Sequence, residues 1–384
     1  VDPAFRTGCK LAVIDPQGTF VEQTTIFPTP PLNDIQGARN KVLDLVDRLG
    51  VDCVAIGNGT GSRETQEFFA RLNEEEAVTL EYTVVSEAGA SVYSASKIGQ
   101  EEYPDLDVTV RGAISIAQRL RDPMAELVKI DPKSLGIGQY QHDVEQKLLE
   151  RQLHTTLEDV VNRVGVEVNS ASSALLSYLA GISPGMARNI LTHRREQGLF
   201  SRKKDLLKVK GLGAKTFEQC AGFVRIRNGA SLLDNTGVHP ESYRAAARLL
   251  QEGKDRGLPS EATASRAETL GVGLQTLEDL LFELRKPGFD PRQELPKIPF
   301  QQGILEIADL RPGMRIPGVV RSLVDFGAFV DIGLKNDGLI HISEMSSRRI
   351  KHPLEVLGVN QYLPGIKVLS VDADRQRVSL SLKE

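Results

Sequence analysis

Residues 318–346 read GVVRSLVDFGAFVDIGLKNDGLIHISEMS, and the C-terminal fold turns on this stretch. Apolar and polar residues alternate at the period of a pleated strand, and Gly, Asn and Asp break the run where turns are needed. The segments RIPGVVRSLV (315–324), GAFVDIG (327–333), GLIHI (338–342), KVLSVDA (367–373) and RVSLSL (377–382) predict five short strands in ~80 residues, the content of a small closed barrel. Phe326 and Phe329 stand three residues apart, an offset that puts side chains on opposite pleats of a regular strand. Gly327 between them predicts a bend that brings both rings to the exposed face, with His341 of the next strand beside them. Rings so placed stack unpaired bases at ~1–3 kcal/mol each. Rings turned the other way would be core.

Upstream, Pro287, Gly288, Pro291, Pro296 and Pro299 interrupt the chain and mark a linker. Residues 153–229 read as helices joined by Gly-containing turns, and residues 230–296 as further helices, such as QTLEDLLFELRK (275–286), followed by that linker. Charge is uneven: residues 1–152 carry 15 Lys+Arg against 24 Asp+Glu, residues 181–229 carry 11 against 3, and residues 303–384 carry 11 against 10. A compact basic block in a chain of net charge −4 is the footprint of a phosphate-binding module; the plainer alternative is a solvated helical face. Inside the block, LAGISPGMARNILTHR (179–194) and VKGLGAKTFEQCAGFVRI (209–226) each place a glycine turn before a helix. Glycines let a backbone approach a phosphate closely, and a helix start offers free N–H groups and a positive dipole end. The candidates are Gly181, Gly185 and Arg188 in the first turn, Gly211, Gly213 and Lys215 in the second, and the run Arg202, Lys203, Lys204 between them. The first turn, with Ser183-Pro184 in place of a second glycine, is the more structural of the two.

The first 152 residues alternate strands and helices: a strand stub at Val1-Asp2, strands CKLAVID and FVEQTTIF joined at Pro16-Gln17-Gly18, a helix over 34–49, the buried strand VDCVAIGNG, a helix capped by Ser62, the strand TLEYTVVSE, and a helix containing RGAISIAQRL. The order predicts an α/β layer fold. The loop Gly57-Asn58-Gly59-Thr60-Gly61 lacks the Lys-Ser/Thr of a P-loop and reads as a tight strand-to-helix turn.

Bulk properties narrow the classes. An apolar fraction of 40% with 26% charged residues is that of globular domains, which excludes disorder as the main state. No run approaches the ~18 apolar residues of a membrane span, and the N-terminus lacks a leader pattern, so no membrane partner is expected. The chain opens on Val1 and runs at once into strand-like sequence, as a piece lacking its upstream part would. Cys9, Cys53 and Cys220 form no CxxC pair, which fits a reducing, cytoplasmic compartment and argues against zinc.

Family resemblance gives these readings a shared frame. The 318–346 stretch closely resembles the S1-type RNA-binding domain, an OB-fold barrel. That resemblance maps Phe326, Phe329 and His341 onto the family's stacking platform, and Asp372 and Arg377 onto its flanking polar contacts. The two glycine turns resemble tandem helix-hairpin-helix motifs. VDPAFRTG (1–8), AIGNGTGSRET (55–65) and VSEAGASVYSAS (85–96) resemble the YqgF/RuvC-type RNase-H-like domain of the Tex family of transcription accessory proteins. Active nucleases of that fold gather about three to four carboxylates around divalent metals. Asp2 and Glu87 match two such positions, while Arg111 falls where a further acid is expected; Asp107 lies a turn too early and Asp143 in a separate segment. The run LVKIDPKSLGIGQYQHDV (127–144) is a signature of the family, but Tyr140, His142 and Asp143 are not spaced as a nucleophilic or metal-binding set.

The expected architecture is therefore multi-domain, α/β plus α plus β. It comprises an RNase-H-like α/β domain (1–152), a helical tandem helix-hairpin-helix domain (153–229), an additional helical segment and linker (230–296), and an S1-type OB-fold barrel (297–384). The resemblance implies a nucleic-acid-binding transcription accessory factor without strong sequence specificity, akin to the core of a eukaryotic elongation factor that travels with RNA polymerase. RNA and DNA are the expected ligands and the transcription complex the expected partner, with no cofactor, no metal and no catalytic residue. The competing expectations are a metal-dependent nuclease using Asp2 and Glu87, and a ribosome-associated RNA binder.

Overall fold

The computed structural model describes residues 1–76, 78, 80–135, 141–294, 307, 310–334, 336–359, 361–372, 375 and 377–383. Tyr140, the prolines at 296 and 299 and the start of the 297–384 segment lie outside the described residues. The chain forms two compact units, one of Val1–Val13, Glu22–Ser86 and Pro296–Glu384, the other of Ile14–Val21 and Glu87–Leu295.

In the first unit, strands β1 (Cys9–Ile14) and β2 (Phe20–Ile26) pair as a hairpin. Asp2 bridges Lys10 of β1 through two backbone bonds of 2.9 and 3.0 Å. On its other side the Val1 nitrogen donates to the Ala55 carbonyl and the Gly57 nitrogen to the Val1 carbonyl. The first two residues thus occupy a strand position between β1 and β3 (Cys53–Gly57). Helix α1 (Ile35–Leu49) starts where the Asp34 carboxylate accepts the Gly37 N–H and stops at Gly50, whose φ of +66° a side chain would disfavour. Its inward face is Ala38, Val42 and Leu45, at helical spacing. Helix α2 (Ser62–Glu76) follows, then β4 (Glu81–Val85), parallel to β3 from Cys53↔Glu81 to Gly57↔Val85. Ser62, expected as a cap, is instead the first helical residue. The Gly57–Gly61 loop is a tight turn, closed by Ser62 N–H on the Gly59 carbonyl. Cys9, Leu11, Ile26, Ile56, Phe69 and Tyr82 close the core of this layer.

The second unit is helical. It runs through α3 (Ala90–Ala95), α4 (Lys97–Glu102), α5 (Val108–Arg121), α6 (Pro123–Leu127) and α7 (Gln146–Val164). Next come β5 (Val166–Glu167), α8 (Ser173–Leu176), α9 (Pro184–Gln197), α10 (Ala214–Cys220) and β6 (Val224–Arg225), with β5 and β6 paired in parallel. Helices α11 (Tyr243–Arg256), α12 (Ala264–Leu270) and α13 (Leu274–Arg285) complete it. Two apolar clusters hold this unit: one around Val161, Leu176, Ile190, Leu206 and Cys220, the other around Leu249, Leu277 and Leu281.

The C-terminal strands belong to the first unit. They are β7 (Arg315–Val324), β8 (Gly327–Asp331), β9 (Gly338–His341), β10 (Tyr362–Asp372) and β11 (Arg377–Ser381), closed into a barrel in the order β10-β11-β9-β8-β7. Closure removes the sheet edges and leaves one inner face, filled by Val320, Ala328, Val330, Ile340, Ile366, Val368 and Leu380. The five expected strands are all present.

Candidate nucleic-acid interface

Strands β7 and β8 meet at a two-residue turn, Asp325-Phe326, with Val324 opposite Gly327. Phe326 therefore sits in the turn rather than on a bent strand, and this frees it from the alternation that governs Phe329. The rings meet edge to face, with centroids 6.2 Å apart at 87°. Phe326 is 51% exposed and Phe329 half-buried. Gly327 pairs with His341, and a Cβ there would run into the Ile340 carbonyl oxygen, so glycine is required by close approach. His341 is exposed; its Nδ1 faces the Ser343 hydroxyl at 2.9 Å, and the Phe326 carbonyl accepts the Ile342 N–H. Turn, β8 and β9 thus bring Phe326, Phe329 and His341 to one end of the outward face.

Asp372 and Arg377 lie on the two strands beyond β9. They face each other across β10 and β11, and β11 runs parallel to β9 with Ser379 level with Leu339. Arg377 then falls four residues, ~13 Å of strand, from the level of His341. The two residues pair with each other, and Arg377 stands two residues along the strand from the level of Phe329, which pairs with Leu339.

The hairpins are built reciprocally. Ser183 caps α9 by accepting the Met186 N–H, and Pro184 fills the first helical turn. At α10 the cap is Gly213, with no side-chain bond to the helix start, which leaves the first N–H groups uncovered. Gly181 and Gly211 take φ of +77° and +86°. A Cβ on Gly181 would meet Gln219 Oε1 of α10 at 2.6 Å. In the other direction, Asn189 of α9 donates from Nδ2 to the Lys210 carbonyl in the second turn at 2.8 Å. Arg188, Arg202, Lys204 and Lys215 are exposed, and Gly185 opens α9 at the half-buried end.

Lys203 is a correction. It is fully buried, and its Nζ donates to the Thr236 and Val238 carbonyls at 2.8 and 3.1 Å, so it is not available to a phosphate. Arg194 is likewise occupied, donating to the Val168 and Ala171 carbonyls.

Of the acid candidates, Asp2 is half-buried, and burial raises its carboxyl above the usual range, opposed by the positive charges of the N-terminus and Lys10. Glu87 follows β4 and its carbonyl accepts the Ala90 N–H at the start of α3. Arg111 is 6% exposed on α5. Its guanidinium donates to the carbonyls of Tyr103, Ser94 and Pro104 at 2.9, 3.2 and 3.4 Å. A buried guanidinium needs partners for its donors, and backbone carbonyls supply them here rather than a carboxylate. Arg119, 4% exposed on the same helix as Arg111, interacts electrostatically with Glu126 and with Glu87. Asp107 is the cap of α5, its carboxylate accepting the Thr109 N–H, and Asp143, itself exposed, ends a single turn. Among the described residues no group of three or more His, Cys, Asp or Glu is placed to hold a metal ion.

Comparison with known proteins places four matches along the chain in the order of these elements. Residues 1–121 match the Tex protein YqgF-like domain, 161–225 a helix-hairpin-helix motif, 231–292 an HHH domain, and 309–383 the S1 RNA binding domain. The chain is 49% identical over 396 residues to the uncharacterized protein YdcI of Bacillus subtilis, covering all of this chain and 54% of that protein. It is 46% identical over 400 residues to Protein tex of Bordetella pertussis, covering all of this chain and 49% of that one. It is 45% identical over 392 residues to the transcriptional accessory protein Tex of Neisseria gonorrhoeae, again covering all of this chain and 51% of the relative. The chain belongs to the Tex family. It spans about half the length of the curated relatives it matches.

In Tex terms the 230–296 segment is more than connecting helices, since nearly all of it matches a further helix-hairpin-helix type domain. Sequence reasoning also missed two residues of the hairpin pair. Lys210 is exposed in the second turn itself, directly before Gly211, and its place in VKGLG was the available signal. Asn189 had none, because its partner lies 21 residues away.

Proposed function

We propose that this Tex chain binds RNA and DNA without strong sequence preference, as the nucleic-acid-holding part of a transcription accessory factor. The observation that carries this reading is the half-exposed Phe326 ring set edge to face against Phe329 beside His341. Such a surface offers π-faces to bases of any identity, which gives affinity without readout. The uncapped start of α10, flanked by Lys210 and Lys215, adds a site for backbone phosphate. The name of the Neisseria gonorrhoeae relative, a transcriptional accessory protein, supports the transcriptional setting, and the transcription complex is the proposed partner. The YqgF-like domain serves as a scaffold rather than a nuclease. The reading is tested by Phe326→Ala with Phe329→Ala. Loss of a stacked base, ~1–3 kcal/mol, weakens binding of single-stranded RNA at least several-fold, with circular dichroism unchanged. A folded double variant that binds as tightly as the parent removes the platform from the function.

A further inference from the structure

The aromatic cluster has a charged neighbour on a different segment from Asp372 and Arg377. After β9 the chain makes the single turn Ile342–Glu344 and then reads Ser346-Ser347-Arg348-Arg349-Ile350-Lys351-His352, a stretch with no acid. It starts five residues past His341, which pairs with Gly327, and directly after Glu344 and Met345; Glu344 is held at the end of β11 by the Ser381 hydroxyl and the Leu382 N–H. It returns at His352, whose Nε2 lies 3.5 Å from the Asp325 carboxylate, one residue before Phe326. Both ends of the loop are therefore anchored at the same end of the barrel face as the rings. Its backbone is held: Ser346 Oγ accepts the Arg348 N–H at 3.1 Å, and the Glu355 carboxylate accepts the N–H groups of Lys351 and His352 at 3.0 and 3.1 Å. These bonds commit Glu355 to the main chain and leave the side chains outward. Arg348, Arg349 and Lys351 are exposed, and none makes an ion pair among the described residues. By contrast, Arg321 on the barrel wall is tied to Asp331 at 2.7 Å and Asp337 at 3.6 Å.

We propose that Arg348, Arg349 and Lys351 form a phosphate rail that carries a single-stranded nucleic acid past the Phe326–Phe329 platform. The inference rests on the platform reading and extends it to a longer ligand. A strand whose bases lie on rings turns its phosphates to the side, and a pinned loop of three cations at that edge meets them. A duplex keeps its bases stacked on one another, does not engage the rings, and is therefore not held against the rail.

The test uses the full 384-residue chain with Arg348→Gln, Arg349→Gln and Lys351→Gln combined. For a single-stranded RNA of about a dozen nucleotides, the slope of log affinity against log salt becomes shallower by about 2, at ~0.7 for each phosphate no longer neutralised. A trinucleotide, which covers only the rings, loses little. Phe326→Ala with Phe329→Ala, run in parallel, weakens both ligands. If the triple variant keeps the parent's slope while the phenylalanine variant binds weakly, the rail is overturned and the platform stands; an acidic protein surface would then be the loop's partner. If neither variant changes binding, the platform reading falls and the rail with it. Equal losses for duplex and single strand in the triple variant would also overturn the single-strand assignment.

Discussion

Lys203 stands between Arg202 and Lys204 in a run of three cations, and only it is turned inward. The segment Lys203–Lys208 is a 3₁₀ helix, whose three residues per turn put Lys203 and Leu206 on one buried face. The carbonyls that receive its ammonium lie 33 and 35 residues downstream, beyond the reach of any local pattern. Burial, reinforced by the nearby Arg225, pushes its amine down to about 7. Below that value both folded and unfolded chains carry the proton. Between about 7 and the ordinary lysine range only the unfolded chain does, so stability rises with pH across that window. Relative to a Lys203→Met variant, the parent is expected to gain about 2 kcal/mol between pH 7 and pH 9 in urea unfolding. A difference that stays flat with pH would show the amine to be charged throughout. Gly327 illustrates the opposite case. Its identity was legible, but its reason was not, because the Ile340 carbonyl that excludes a Cβ belongs to the neighbouring strand.

At the scale of elements, periodicity and glycine placement carried far. The five barrel strands and the two hairpins follow from alternation and from turn residues just before helices, signals that sit within a few residues of one another. What escaped was set by register. The level of Arg377 relative to His341 depends on β11 lying parallel to β9, which no local spacing encodes. The hairpins carry their own prediction. Lys204, Lys210 and Lys215 are exposed, whereas Lys208 is held by Asp205 at 2.7 Å. Replacing the first three by glutamine is expected to flatten the salt dependence of binding by about 0.7–0.9 for each phosphate left without its cation, alike for unrelated sequences. Lys208→Gln serves as the comparison and should change the slope less. A parent-like slope in the triple variant would assign that face to another ligand.

Across the whole chain, charge is partitioned: acidic in residues 1–152, basic in 181–229, near balance in the barrel segment. The order of domains was readable because each carries its own motif. The nature of 230–296 was passed over, although Gly271-Val272-Gly273 opens α13 as Gly211-Leu212-Gly213 opens α10, because the acidic helix that follows lacks the basic surroundings of the first pair. The acidic N-terminal part bears on cleavage. Metal-assisted hydrolysis needs several carboxylates to offset the repulsion between divalent ions. Arg119 sets a permanent positive charge beside Glu87, and Arg111 is committed to backbone carbonyls. The chain is therefore expected not to cut branched DNA, single-stranded DNA or RNA in manganese. Cleavage by the parent that both Asp2→Asn and Glu87→Gln abolish would reverse this.

The crossed packing of the two hairpins has a consequence for what the chain can grip. Gly181 abuts Gln219 of the second hairpin's helix, and Asn189 of the first hairpin's helix holds the Lys210 carbonyl of the second turn. Each turn is thus braced by the helix of the other. On the proposed binding role, the pair acts as a fixed-jaw caliper: a backbone must arrive with its contour already matched to the gap, so contour rather than letters decides what fits.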